Sequence, residues 1–111
     1  MNKLTAVAIL LIAAAFESGG DALMRIGLKQ HTGAGRWLFL LGGAIMLSAY
    51  GLTVNIPDWD FGRLLGLYVV FFFLIAQGTS WIVFDQPPSL ATLTGGALIV
   101  CGGVVLSVAN F

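Results

Sequence analysis

Two carboxylates, Glu17 and Asp21, stand out in the apolar N-terminal part of the chain, within the stretch FESGGDALMRIG. Residues four apart share one face of a helix, so both acids are expected to point the same way. A carboxylic acid held away from water favours its neutral form, and it can release its proton to a competing cation. The pair therefore predicts a site that binds a proton or a small cation.

A second interpretation places both acids at a helix end, with their side chains reaching toward Arg25 and Lys29. Asp21 can form an ion pair with Arg25, which is one helical turn further along. Glu17 lies deeper in the apolar segment, where an ionised side chain costs about 2.5–3.5 kcal/mol on insertion scales. Glu17 is therefore the stronger candidate, and both interpretations of Asp21 stay open.

Aromatic residues supply the other chemistry that a cation site can use. Tyr50 lies in the second apolar segment, and Tyr68, Phe72 and Trp81 lie in the third. Aromatic faces attract cations through the ring quadrupole, so these four residues are predicted to line a substrate cavity. Ordinary core packing or contact with lipid is the alternative interpretation of the same residues.

The composition indicates the kind of fold that must position these residues. The 111 residues are 59% hydrophobic and only 9% charged, whereas a soluble domain carries about 25% charged residues. Continuous apolar runs long enough to cross a bilayer as helices occupy residues 4–28, 37–54, 64–84 and 90–108. These runs do not alternate, so we predict an all-α membrane protein with four transmembrane helices.

Short linkers join the four apolar segments, so consecutive helices must be antiparallel neighbours. Glycines and polar residues form the first linker, and Pro57 and the pair Pro87 and Pro88 interrupt the second and third. No length is left for a soluble region, and we predict a single transmembrane domain over residues 1–111.

Glycines repeat seven residues apart on the fourth segment, as Gly95 with Gly102 and as Gly96 with Gly103. Small residues on one face allow helix backbones to approach closely in a membrane. We predict that Gly96 and Gly103 form a dimer contact, and packing within one protomer is the alternative.

Several classes of protein are disfavoured. The formal net charge is zero and no basic stripe is present, which argues against nucleic-acid binding. No phosphate-binding loop or Cys/His metal cluster is found, so we predict no enzyme activity, no cofactor and no metal. Basic residues divide two against three between the sides of the membrane, which predicts a weak orientation bias.

The stretch FESGGDALMRIG resembles the first helix of small multidrug resistance transporters, in which a basic residue follows a membrane glutamate by eight positions. Glu17 and Arg25 keep that spacing, and VNIP and FDQPPSLATLTGGALIVCGGVVL resemble later parts of the family and of the wider drug/metabolite transporter superfamily. The third segment departs from the family, because it is bulkier and has Tyr68 or Leu65 at the position of the family's tryptophan. Asp21 has no usual counterpart there.

The resemblance implies a dimer, often antiparallel, in which two glutamates share one cavity. It implies proton-coupled efflux of small organic cations, such as quaternary ammonium or guanidinium compounds, across the inner (plasma) membrane. The partners implied are the cation, protons, lipids and an identical or related subunit. Two alternatives remain: a small subunit of a lipid-linked sugar flippase, and a non-transporting accessory subunit.

Overall fold

The computed structural model describes residues 2–108, which form four helices: α1 (Lys3–Gln30), α2 (Ala34–Val54), α3 (Phe61–Phe84) and α4 (Leu90–Val108). All four helices are long and apolar enough to cross a membrane. The predicted all-α fold is confirmed. The predicted ends at residues 54 and 84 and the predicted start at residue 90 agree with the structure, and the predicted end at residue 108 is the last residue that the structure describes. The predicted domain also includes residues 1 and 109–111, which lie outside the described part.

The helix ends follow from local chemistry. The Asn2 side chain caps α1 by accepting a hydrogen bond from the Thr5 backbone N–H at 2.8 Å. Gly33 has a φ of 72°, which a glycine adopts without strain, and this turn lets α2 begin directly after α1. Asp85 adopts the left-handed backbone conformation at the end of α3, and Pro87 and Pro88 then prevent continuation of the helix.

The α1–α2 hairpin is packed through glycines. A Cβ atom added at Gly43 would lie 2.9 Å from the Gly20 carbonyl oxygen, and one added at Gly20 would lie 3.1 Å from the Gly43 carbonyl oxygen. The two backbones are therefore in direct contact, which larger residues would prevent. Arg36 reinforces the hairpin, because its Nε donates to the carbonyl oxygens of Gly27 and His31 at the end of α1.

Helix α1 packs against α2 and α3, and α4 packs against α3. The buried core lies where the first three helices meet, and it consists of Leu10, Ala13, Ala14, Val54, Leu64 and Tyr68. Helix α4 contributes no residue to this core. Its outer face, like that of α2, exposes large apolar side chains, as expected for surfaces that contact lipid.

Gly96 and Gly103 lie on the inner face of α4 and are both buried against α3. A Cβ added at Gly96 would meet the Phe73 ring, and one added at Gly103 would meet Val70. The close approach predicted from the glycine spacing is therefore made within one protomer. This is the alternative to the predicted dimer contact, since α3 of the same protomer occupies the face of α4 that carries both glycines.

Candidate cation site

Glu17 lies near the middle of α1, about 21 Å along the helix axis from Lys3 at 1.5 Å per residue. Its side chain is half-buried and turns toward α3. The Tyr68 hydroxyl donates a hydrogen bond to Glu17 Oε1 at 2.8 Å. Because Tyr68 is only 3% exposed, this acid and its partner form a polar contact inside the apolar bundle.

Aromatic rings surround this contact. The Tyr50 ring of α2 stacks on the Tyr68 ring with centroids 5.5 Å apart, and the Phe72 ring follows with its centroid 6.3 Å from that of Tyr68. Residues 68 and 72 are one turn apart, so both lie on the same face of α3. Three of the four aromatic residues predicted for the cavity therefore come together beside Glu17, from two different helices.

Trp81 does not join this group. It is 57% exposed on the outer surface of the bundle. It follows Phe72 by nine residues, which is two and a half helical turns, so the two side chains leave α3 on opposite faces. Within one protomer, Trp81 therefore does not lie beside Glu17 with the other three aromatic residues.

Asp21 lies in a different place from the Glu17 contact. It lines an open cleft of about 180 Å³ between α1 and α3, together with Ser18, Ala22, Arg25, Phe72, Ala76, Thr79, Ser80, Phe84 and Gln86. Glu17, Tyr50 and Tyr68 are not part of this wall. The two acids predicted to form one site are therefore one turn apart but lie in adjoining regions. Glu17 contacts Tyr68, Asp21 lines the cleft, and the Phe72 ring borders both regions.

Arg25 shares the cleft with Asp21 but contacts an aromatic ring. Its guanidinium carbon lies 5.5 Å from the centroid of the Phe84 ring, within the range of a cation–π interaction. Among residues 2–108, the Asp21 carboxylate accepts no hydrogen bond and forms no ion pair. The ion pair considered from the spacing of Asp21 and Arg25 is therefore absent from this part of the chain.

Ser18 and Thr79 are two site residues that the sequence reasoning missed. The buried Ser18 hydroxyl donates to Thr79 Oγ1 at 2.8 Å, and the Thr79 hydroxyl donates to the Ile75 carbonyl oxygen at 3.0 Å. This second polar contact joins α1 to α3 at the wall of the cleft. Thr79 follows Phe72 by seven residues, nearly two helical turns, so both lie on the same face of α3. This spacing is the sequence signal that could have identified Thr79.

No group of three or more His, Cys, Asp or Glu side chains within residues 2–108 could hold a metal ion. The site instead offers one hydrogen-bonded carboxylate, one carboxylate without a protein partner, and several aromatic faces. These groups can bind a proton or an organic cation.

Four apolar helices with a polar contact at their centre define a small multi-pass membrane protein. The chain belongs to the UPF0060 family of membrane proteins. It is 31% identical to a UPF0060 membrane protein of Streptomyces avermitilis, over 96% of this chain and 93% of the relative. It is 34% identical to a UPF0060 membrane protein of Streptomyces coelicolor, over 90% of this chain and 94% of the relative. No family model matches the chain, and no solved structure matches it.

Proposed function

We propose that the protein exports small organic cations across the inner membrane in exchange for protons, with Glu17 as the shared binding group. One observation carries the proposal: a carboxylate near the middle of a membrane helix is hydrogen-bonded by Tyr68 and flanked by aromatic rings. Ionised residues inside a membrane are costly and mark ion or substrate paths. A purely structural polar contact would not require an ionisable residue at this depth.

The chemistry follows from having one carboxylate and two competing occupants. A proton neutralises Glu17, and the Tyr68 hydroxyl can still donate to its carbonyl oxygen. An organic cation displaces that proton, because it pairs with the carboxylate and can lie against the faces of Tyr50 and Phe72. If the empty charged site reorients slowly, each proton that enters drives one exchange step.

The resemblance to small multidrug resistance transporters supports the same mechanism. Glu17 and Arg25 keep that family's spacing, and Glu17 contacts a third-helix aromatic residue. A dimer is part of the proposal, because Glu17 is only half-buried in one protomer and four helices enclose little space. The partner is a second copy or a related subunit.

The proposal is tested with purified protein reconstituted into liposomes with an imposed pH gradient. We expect uptake of guanidinium or quaternary ammonium compounds against the direction of proton flow, and no uptake once an ionophore collapses the gradient. Uptake at the same rate with and without the pH gradient would contradict proton coupling. Scrambling of a lipid-linked sugar without cation uptake would favour a flippase subunit, and co-purification with a larger membrane protein would favour an accessory role.

Replacing Tyr68 with phenylalanine is expected to weaken cation binding and uptake while the fold is kept. The ring and its stacking remain, but Glu17 loses its hydrogen bond, and such bonds to charged groups are worth about 1.5–3 kcal/mol, or roughly tenfold or more in affinity. The measurement is the apparent affinity for the transported cation in proteoliposomes. Tyr50→Phe is the matched control, since it also removes one hydroxyl but leaves the Tyr68–Glu17 bond intact. Equal effects of the two changes would count against a specific role for that bond.

A further inference from the structure

The cleft at Asp21 adjoins the Glu17 contact without including it. Ser18, the chain neighbour of Glu17, forms part of its wall, and Phe72 borders both the cleft and the Tyr68 ring. A ligand in the cleft would therefore stand next to the central carboxylate, with one aromatic ring between. The cleft is open, so such a ligand has a route to it from outside the bundle.

The Asp21 side chain is exposed at the cleft, and its carboxylate has no hydrogen-bond or ion-pair partner among residues 2–108, although it lies within a membrane-spanning helix. Ser18, Thr79 and Ser80 belong to the same wall, and the hydroxyl of each already donates its proton to another protein oxygen, which leaves its lone pairs as acceptors. A negative charge with hydroxyl groups around it suits a cation that carries N–H donors. The volume of about 180 Å³ is below the roughly 300–1,000 Å³ of pockets for drug-sized ligands, which favours a small cation.

A cationic group of the protein already lies in this cleft. The Arg25 guanidinium is 5.5 Å from the centroid of the Phe84 ring, and both residues belong to the wall that contains Asp21. Arg25 is exposed and its side chain is long and flexible, so it can leave this position. While the Arg25 side chain lies over Phe84, its positive charge lowers the electrostatic free-energy cost of the unpaired Asp21 carboxylate in the cleft.

We propose that the Asp21 cleft is a second, peripheral cation-binding site in which Arg25 occupies the place of the ligand. A small cation with N–H donors, of the guanidinium or ammonium type, displaces the Arg25 side chain, lies over the Phe84 ring and pairs with Asp21. The identity of the ligand as a transported cation rests on the proposed function; the site itself rests on the cleft, its unpaired carboxylate and the resident guanidinium.

The test measures binding of methylguanidinium to purified full-length protein by titration calorimetry, with Glu17→Gln as the starting variant. The amide removes the central carboxylate, so the binding that remains reports on the cleft. We expect Glu17→Gln protein to keep one binding event. Adding Asp21→Asn should weaken that event about tenfold or more, because a bond between two charged groups is lost.

Removing the competing side chain should have the opposite effect. In the same starting variant, Arg25→Gln is expected to strengthen methylguanidinium binding by about 2- to 30-fold, the range that corresponds to a cation–π contact. Adding Phe84→Leu to Arg25→Gln should reverse most of this gain. Lys29→Gln is the matched control, since it removes the same charge one turn further along α1 from a residue outside the cleft. Arg25→Lys provides a variant that keeps the charge if the glutamine variant does not fold.

The outcomes separate this site from the central one. Loss of all binding in Glu17→Gln, with binding kept in the unmodified protein, would overturn the peripheral site and leave the Glu17 proposal standing. Absence of methylguanidinium binding in both proteins would also overturn it. Equal gains from Arg25→Gln and Lys29→Gln would overturn the claim that Arg25 occupies the place of the ligand, because loss of a positive charge outside the cleft would then have the same effect. Binding that needs Asp21, together with unchanged proton-driven uptake in Glu17→Gln, would support the cleft and refute the central role of Glu17.

Discussion

Replacing Glu17 with glutamine is expected to abolish proton-driven uptake of organic cations, down to the level of liposomes without protein. The amide keeps the size of the side chain and can still accept a hydrogen bond from Tyr68, but it cannot exchange a proton for a cation. The fold should be kept or slightly stabilised, because a charge at the centre of a membrane costs about 2.5–3.5 kcal/mol. The measurement is uptake in proteoliposomes with an imposed pH gradient.

Two further variants test whether the effect of Glu17→Gln is specific to the carboxylate at this position. Asp58→Asn removes one negative charge from the exposed linker between α2 and α3, and uptake should be unchanged. Glu17→Asp keeps an ionisable group but shortens it by one methylene, which separates it from the Tyr68 hydroxyl, so reduced but measurable uptake is expected. If Glu17→Gln protein transports cations with the same dependence on the pH gradient as the original protein, the proposed mechanism is wrong.

The second large effect is expected from Gly103→Leu, which should separate α4 from α3. A Cβ at this position already meets Val70, and a full leucine side chain has no space there. Overpacking of this kind costs about 1–3 kcal/mol in proteins. Among residues 2–108, α4 packs against α3, and one hydrogen bond from Lys3 Nζ to the Ser107 carbonyl oxygen also joins it to α1. Unfolding of the purified protein in mixed micelles with increasing SDS measures the loss of stability.

Gly102→Leu is the matched control for this change, because a Cβ at Gly102 meets no atom within 4 Å and the new side chain would point outward. Its free energy of unfolding should change by no more than about 0.5 kcal/mol, as for substitutions on a free surface. A Gly103→Leu protein that keeps its stability but loses its dimer would contradict packing of this face against α3. The glycine pair would then belong to an interface between protomers.

The fold was largely predictable from the sequence because the bilayer imposes a simple rule on backbone hydrogen bonds. Inside the membrane every N–H and C=O must be paired within its own segment, so a long apolar run can only be a helix. Prolines and glycines in the linkers then define where each helix stops. The ends of α2 and α3 at Val54 and Phe84 are predicted in this way.

The candidate site was predictable in its residues but only partly in its geometry. Glu17 was recognisable as a costly acid in an apolar helix, and Tyr68, Phe72 and Tyr50 as aromatic residues nearby. The hydrogen bond between Glu17 and Tyr68 joins residues 51 positions apart, so it depends on how α1 and α3 rotate against each other. Trp81 follows Phe72 by nine residues, which directs its side chain to the opposite face of α3, so within one protomer it lies apart from the other aromatic residues.

Periodicity in the sequence determines which residues share a helix face, and it did so for the pairs Gly96 with Gly103 and Tyr68 with Phe72. It does not determine what that face meets. Lipid tails are as apolar as leucine. The composition of an apolar or glycine-rich face therefore does not show whether that face contacts lipid, a second protomer or a neighbouring helix. Only the tertiary structure decided that the α4 glycines meet α3 and that Arg25 lies over Phe84 instead of pairing with Asp21. Both outcomes depend on side-chain shape at contacts between helices, which the spacing along one helix does not contain.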